Sequence, residues 1–191
     1  MATRNIMIVG VGGQGTLLAG KLLGYVLMEQ GYDVKVSEVH GMSQRGGSVV
    51  TYVRFGEKVY SPVIDKGEAD IIVSFEKLEA ARWLEYLKPG GQIITNTQEV
   101  EPMPVIIGAA QYPERLVEKM QAAGAKVDAQ DFLAIAESAG SAKAVNIALM
   151  GRLSKYFPEI SDEAWQKAME ACVPPKFLEL NKKAFEMGKS A

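Results

Sequence analysis

Residues 10–15 of this chain read Gly-Val-Gly-Gly-Gln-Gly. A short apolar run at residues 5–9 precedes the glycines. Residues 16–30 follow them with apolar side chains at helical spacing, and a second apolar run begins at residue 34. A strand, a turn, a helix and a second strand within about 35 residues are typical of a βαβ unit, so the sequence predicts an α/β fold.

The glycine loop also predicts a binding site. Glycines at this position allow a tight turn, and they leave the first N–H groups of the following helix available to an anion such as a phosphate. The candidate binding residues are Gly10, Gly12, Gly13, Gln14 and Gly15. Two alternatives remain open: the glycines only allow the helix to pack closely on the strand, or they present the loop to another protein chain.

Glu38 adds a rival interpretation of the same loop. In a dinucleotide-binding domain, an acidic residue near the end of the second strand holds the ribose hydroxyls of the cofactor. Glu38 has this place in the sequence. An oxidoreductase that binds NAD(P) by itself is therefore the main alternative function, and a module without enzymatic activity is a third.

A second loop follows that is unusual for a dinucleotide-binding domain. Residues 43–48 read Ser-Gln-Arg-Gly-Gly-Ser. The planar guanidinium of Arg45 is suited to clamp a carboxylate or a phosphate, and a Gly-Gly pair lets backbone N–H groups point at the same anion. The additional binding candidates are Ser43, Gln44, Arg45, Gly46 and Gly47. The alternative is a flexible surface turn.

The remaining chain predicts one three-layer α/β/α domain over residues 1–191, with a mixed, mostly parallel sheet and a helical C-terminal third. A hairpin is predicted for residues 48–60, with strands at 48–55 and 59–60. Further strands are expected at residues 69–75, 92–96, 104–107 and 125–129. Helices are expected at residues 77–87 and 114–123, and throughout the chain from Phe132 onward.

Composition excludes several classes of function. The 191 residues carry a net charge of -2, without the basic excess that nucleic acids or anionic membranes attract. Apolar runs stay well short of the ~20 residues of a membrane span, and residues 1–10 lack the layout of a signal peptide, so we expect a cytoplasmic protein. With one cysteine and one histidine, the chain cannot form an internal disulfide or bind an iron–sulfur cluster through about four cysteines.

The two loops together resemble the gamma-type domain of the 2-oxoacid:ferredoxin oxidoreductase family. The resemblance extends to Glu-Val-His-Gly-Met at residues 38–42, to residues 69–76, and to Asn-Ile-Ala-Leu-Met-Gly at residues 146–151. It covers nearly the whole chain, in order and at similar spacings. In the arylpyruvate (indolepyruvate) branch this domain is a separate small subunit, and the length of the present chain suits that arrangement.

The resemblance implies a reaction and a division of labour. A 2-oxoacid is oxidatively decarboxylated with coenzyme A to acyl-CoA, CO2 and reduced ferredoxin. Thiamine diphosphate and iron–sulfur clusters are expected in a large alpha subunit, while this chain holds no cofactor and no catalytic residue. Both loops would line the cleft that admits coenzyme A, or would only contact the large subunit. A gamma-type subunit of a pyruvate, 2-oxoglutarate or 2-ketoisovalerate enzyme is the alternative within the family.

Overall fold

A computed structural model describes residues 3–40 and 47–191, with only the backbone described at His40. Its six strands are β1 Arg4–Val11, β2 Asp33–His40, β3 Ser48–Gly56, β4 Ala69–Ser74, β5 Leu87–Asn96 and β6 Lys126–Gln130. They form one sheet in the order β2-β3-β1-β4-β5-β6. β3 is antiparallel to both of its neighbours, and the other neighbouring strands are parallel. The mixed, mostly parallel sheet is therefore confirmed.

Helices cover both faces of this sheet. They are α1 Thr16–Glu29, α2 Lys77–Arg82, α3 Met103–Ile106, α4 Leu116–Ala122, α5 Phe132–Ala139, α6 Val145–Ser154, α7 Asp162–Cys172 and α8 Leu178–Ser190. Along β1, Ile6 and Ile8 belong to the core formed with α1 and with the helices from α5 onward. Met7 belongs to a second core, which contains residues of α2 and α4. The three layers follow from this alternation of side chains along a strand.

The predicted hairpin is wrong in its pairing. β3 lies between β2 and β1 and pairs with both, so no edge of β3 is left for residues 59–60. Val59 is instead a buried side chain outside the sheet, and its N–H donates to the Asp33 carboxylate at 2.9 Å. Because β3 lies between β2 and β1, β2 does not pair with β1 and lies at the edge of the sheet.

Residues 104–107 form no strand. Residues 103–106 are the short helix α3, which begins after Pro102 and contains Pro104. Proline suits the first turn of a helix, because the N–H that it lacks would have no partner there. The helix predicted for residues 77–87 is also shorter than expected, since α2 ends at Arg82 and a 3-10 turn, Leu84–Tyr86, follows it.

α6 and α8 are in close backbone contact. A Cβ atom added at Gly151 would lie 2.0 Å from the Phe185 carbonyl oxygen, and one added at Gly188 would lie 2.0 Å from the Ala148 carbonyl oxygen. The two backbones therefore touch where both helices have glycine. Among the helices of residues 3–40 and 47–191, none combines the length and the apolar character that crossing a membrane requires.

Candidate functional site

The candidate site is a cleft of about 620 Å³ at the carboxyl end of β1. The glycine loop forms one wall, Phe75 and residues 98–100 follow the ends of β4 and β5, and Lys143 and Asn146 come from the start of α6 and the turn before it. In open α/β sheets, ligands bind beyond the carboxyl ends of the strands. The cleft thus lies where the fold favours a ligand.

Gln14 maintains the shape of the glycine loop. Its side-chain oxygen accepts a hydrogen bond from the Val11 N–H at 2.8 Å, and its amide nitrogen donates to the Phe75 carbonyl at 3.4 Å. Gly10 is needed beside it, because a Cβ there would lie 2.9 Å from the Gln14 oxygen. Gln14 lines the cleft although its amide is engaged by the chain itself, whereas Gly10 is buried and does not line the cleft.

The end of the loop requires glycine for two reasons. Gly13 has φ 99° and Gly15 has φ 89°, in the left-handed region that other residues rarely adopt. A Cβ at Gly15 would also lie 2.7 Å from the side-chain nitrogen of Asn146, which donates to the Gly15 carbonyl at 3.3 Å. Asn146 therefore braces the loop from α6.

The N-terminus of α1 opens beside this cleft. Within the described part of the chain, no side chain caps this end of the helix and its first turn holds no acidic residue. The first N–H groups of α1 are thus available to an anionic ligand. Lys143 adds a positive charge to the same cleft. Sequence reasoning missed Lys143, because no local pattern links it to a loop that lies far away in the chain.

The second loop meets the first at Gly47. The Gly12 N–H donates to the Gly47 carbonyl at 2.8 Å, so Gly47 lies beside the glycine loop at the carboxyl edge of the sheet. Ser48, the next residue, donates from its hydroxyl to the Glu79 carboxylate. The other predicted residues of this loop, Ser43, Gln44, Arg45 and Gly46, lie outside the described residues and remain predictions.

Glu38 does not line the glycine-loop cleft. β3 separates β2 from β1, and the register places Glu38 opposite Thr51, which in turn lies opposite Ile8. Glu38 lines a different groove, together with Leu17 of α1 and Val36 of β2. The arrangement by which a dinucleotide-binding domain holds a ribose is therefore not formed at this residue, and the inserted strand is the physical reason.

Two carboxylates after β4, those of Glu76 and Glu79, are buried. Glu76 is 1% exposed and accepts hydrogen bonds from the Glu79 N–H at 2.9 Å, the Val100 N–H at 3.2 Å and the Tyr112 hydroxyl. Burial, together with the hydrogen bond to Glu76, raises the pKa of the Tyr112 phenol. Glu76 thus caps α2 and fastens the segment of residues 100–112 to it.

Glu79 is 4% exposed and joins α2 to the second loop through Ser48. Burial raises the pKa of its carboxyl above the ordinary value of 4.5, although Ser48 and Arg82, whose Nε lies 3.6 Å away, act in the opposite direction. A carboxyl whose pKa is raised in the folded state contributes stability that is complete below the ordinary pKa. That contribution is lost as the pH rises through the folded-state pKa.

The variant Glu79→Gln stays neutral at every pH. Its free energy of unfolding is therefore expected to rise relative to that of the natural protein as the pH increases from about 4.5 through the raised pKa. Urea unfolding of both proteins at several pH values between about 4.5 and 8 measures the difference. A difference that stays constant over this range would contradict a raised pKa at Glu79.

The fold and the cleft define a class of α/β domain in which a glycine loop and the start of an inserted antiparallel strand meet at the carboxyl edge of a mixed sheet. Comparison with known proteins identifies the family within this class. The family model described as pyruvate ferredoxin/flavodoxin oxidoreductase matches residues 5–191. The chain belongs to this family, which confirms the resemblance seen in its motifs.

The relatives cover the full chain. An indolepyruvate oxidoreductase subunit IorB from Thermococcus kodakarensis is 45% identical, with 100% of this chain and 96% of the relative aligned. A pyruvate oxidoreductase subunit from Thermotoga maritima has the same fold, with a TM-score of 0.77 at 21% identity over 100% of this chain and 97% of that one. A 2-oxoglutarate:ferredoxin oxidoreductase from Magnetococcus marinus, solved with coenzyme A and succinyl-CoA bound, matches with a TM-score of 0.75 at 20% identity, over 100% of this chain and 31% of that chain.

Proposed function

We propose that this chain is the small subunit of an indolepyruvate:ferredoxin oxidoreductase and that its two glycine loops form a wall of the cleft that admits coenzyme A. The observation that carries the proposal is the 45% identity to an indolepyruvate oxidoreductase subunit along the full length of this chain. Relatives named as 2-oxoglutarate synthase or pyruvate/ketoisovalerate oxidoreductase subunits are 28% identical or less, which favours the indolepyruvate reaction over the other branches.

The proposed reaction converts a 2-oxoacid, coenzyme A and two oxidised ferredoxins to acyl-CoA, CO2, a proton and two reduced ferredoxins. Thiamine diphosphate and iron–sulfur clusters in the large subunit supply the carbanion chemistry and the single-electron transfer. Within residues 3–40 and 47–191, no group of three or more His, Cys, Asp and Glu side chains is arranged to hold a metal ion. This chain's part is to bind and orient coenzyme A.

The glycine-loop cleft has the groups that a phosphate needs. The uncapped N-terminus of α1 opens beside this cleft, and the left-handed Gly13 and Gly15 line it together with Lys143. Anions bind where helix N–H groups and a cation converge. We place the pyrophosphate of coenzyme A at this point, with Arg45 of the second loop as a further positive charge.

A second role, contact with the large subunit, is supported by α3. Met103, Ile106 and Ile107 are each more than 60% exposed. Pro102 and Pro104, at the start of this helix, line a cavity together with Val11 and Gly47 of the two loops. Exposed apolar side chains in such a cluster are typical of protein–protein contacts. The same edge of the sheet would then form both a wall of the coenzyme A cleft and a contact with the large subunit.

Anaerobic co-purification tests the proposal. A tagged form of this chain is expected to co-purify with a larger, brown subunit. The purified complex is expected to reduce a viologen dye when indolepyruvate and coenzyme A are both present. The isolated chain is expected to be inactive. A colourless chain that elutes alone and binds a nicotinamide nucleotide would overturn the proposal in favour of an NAD(P)-dependent oxidoreductase.

Variants of the two cations separate coenzyme A binding from subunit contact. In the assembled complex, Lys143→Ala and Arg45→Ala are each expected to raise KM for coenzyme A roughly tenfold with kcat retained, because each removes a charge from a bound phosphate. Lys126→Ala is the matched control, since this exposed lysine lies at the start of β6, far from the carboxyl edge. Loss of the large subunit from either cleft variant, with KM unchanged in what remains, would favour a purely structural role.

A further inference from the structure

A second cavity, of about 380 Å³, adjoins the glycine-loop cleft. Lys143 and Asn146 line both cavities, so the two share a wall. The second cavity lies between α1 and the turns that precede α6 and α8. No residue of the two glycine loops that the structure describes lines the second cavity. The role proposed for those loops therefore leaves this cavity without a function.

The lining of this cavity combines apolar surface with hydrogen-bonding groups. Leu18, Val173 and Leu180 supply the apolar surface. Ser141 and Asn181 supply polar atoms. A cavity of this size and mixed lining is typical of a site for one small organic group rather than for a solvated ion.

The aromatic ring of Phe177 is part of the same lining and is 48% exposed, which is unusual for a phenylalanine. The turn that carries it is braced, because the Asn181 side-chain nitrogen donates to the Phe177 carbonyl at 2.8 Å. The cavity therefore has a half-exposed ring on a turn that is braced through its backbone, with the Lys176 ammonium 4.8 Å from the ring centroid. Such a ring is suited to stack on the face of a planar heteroaromatic group.

Lys143 determines which ligand suits the pair of cavities. Lys143 lines both the glycine-loop cleft and the second cavity, so its side chain can bring a positive charge to the boundary between them. A ligand that fills both needs a planar base at one end and phosphate next to it. A purine nucleotide has this order of groups, and the adenosine half of coenzyme A is a purine nucleotide.

We propose that the second cavity binds the adenosine end of coenzyme A, with the base against Phe177 and the pyrophosphate beside Lys143. The pantetheine arm then leaves through the glycine-loop cleft. This proposal rests on the proposed function, because it assigns a position to the same substrate. The competing occupant is an apolar side chain of the large subunit. Such a side chain would make no use of the positive charge of Lys143.

Truncated forms of the substrate test the proposal in the assembled complex. Phe177→Leu is expected to raise KM for coenzyme A roughly tenfold, since it keeps apolar bulk but removes the stacking surface. It is expected to leave KM for pantetheine, which has no adenosine, unchanged. Adenosine 3′,5′-bisphosphate should inhibit the natural complex in competition with coenzyme A, and the variant should need a roughly tenfold higher concentration. Phe177→Tyr, which retains an aromatic ring, should restore the natural values.

Two results would overturn the proposal. An unchanged KM for coenzyme A in Phe177→Leu would show that the ring does not touch the substrate. An equal rise in KM for coenzyme A and for pantetheine, or loss of the large subunit, would show that the cavity acts through the structure or the subunit contact. If Lys143→Ala still raises KM for coenzyme A in either case, the role of the glycine-loop cleft stands without the adenosine site.

Discussion

Replacement of Gly151 by alanine is expected to lower the midpoint of thermal unfolding by roughly 10 °C. The added Cβ would lie 2.0 Å from the backbone oxygen of Phe185, and backbone atoms cannot turn aside as a flexible side chain can. α6 and α8 must therefore separate along their contact, at a cost of about 3 kcal/mol or more. The gain of about 1 kcal/mol in helix propensity from glycine to alanine is too small to offset this.

Gly24→Ala is the matched control, because Gly24 also lies inside a helix. Its added Cβ would meet only a methyl group of Val36, at 3.2 Å. Its effect on the free energy of unfolding is expected to stay within about 1 kcal/mol. Calorimetry or circular dichroism of both variants measures the difference. Equal midpoints for Gly151→Ala and the natural protein would mean that the helices are not in backbone contact.

Glu76→Ala is expected to lower the free energy of unfolding by about 3 kcal/mol. The change removes the cap of α2, which costs about 1 kcal/mol, and it leaves the Val100 N–H and the Tyr112 hydroxyl without their acceptor. Because the carboxylate is almost completely buried, water replaces these bonds poorly. The segment of residues 100–112, which carries the exposed helix α3, is expected to become less protected against hydrogen exchange.

Two further variants define the source of this loss. Tyr112→Phe removes one donor but leaves the other bonds of Glu76 intact, so a smaller loss of about 1 kcal/mol is expected. Glu118→Ala removes an exposed acid from the first turn of α4 and is expected to change the stability by less than about 0.5 kcal/mol. Urea unfolding compares the three. A loss in Glu76→Ala no larger than that in Glu118→Ala would contradict the structural role of the buried carboxylate.

Local sequence patterns were sufficient to predict the strands and the helix around the glycine loop. An apolar run, a cluster of glycines and a helical repeat are adjacent in the chain, and each pattern reflects the element that it forms. β1, α1 and β2 therefore lie within a residue or two of their predicted bounds. The place of β3 between β1 and β2 could not be predicted in this way, because strand order depends on contacts between distant parts of the chain.

The failure at residues 104–107 has a local cause. The strand was predicted from the β-branched side chains of Val105, Ile106 and Ile107, which favour extended backbone. Two prolines at the start of the segment favour a helical turn instead, and the N–H of Val105 bonds back to Pro102 at 2.9 Å. A short apolar run is ambiguous between strand and helix, and here the prolines decide.

The candidate site was predictable only where it is continuous in sequence. The glycine loop is one stretch, and its pattern indicates its conformation. Lys143 and Phe177 carry the charge and the ring of the proposed nucleotide site, yet they come from turns more than 100 residues away. Asn146 brings these parts together, because its bond to Gly15 fixes the start of α6 against the loop. The burial of Glu76 and Glu79 could not be predicted either, because exposed acids are also found in the first turn of a helix that follows a strand.

The contact between α6 and α8 has a consequence for biosynthesis. α8 is translated after every other described element, and until it leaves the ribosome α6 lacks the surface against which Gly151 packs. α6 also carries Asn146, which braces the glycine loop. The brace on the glycine loop is therefore expected to reach its final packing only after α8 has been translated.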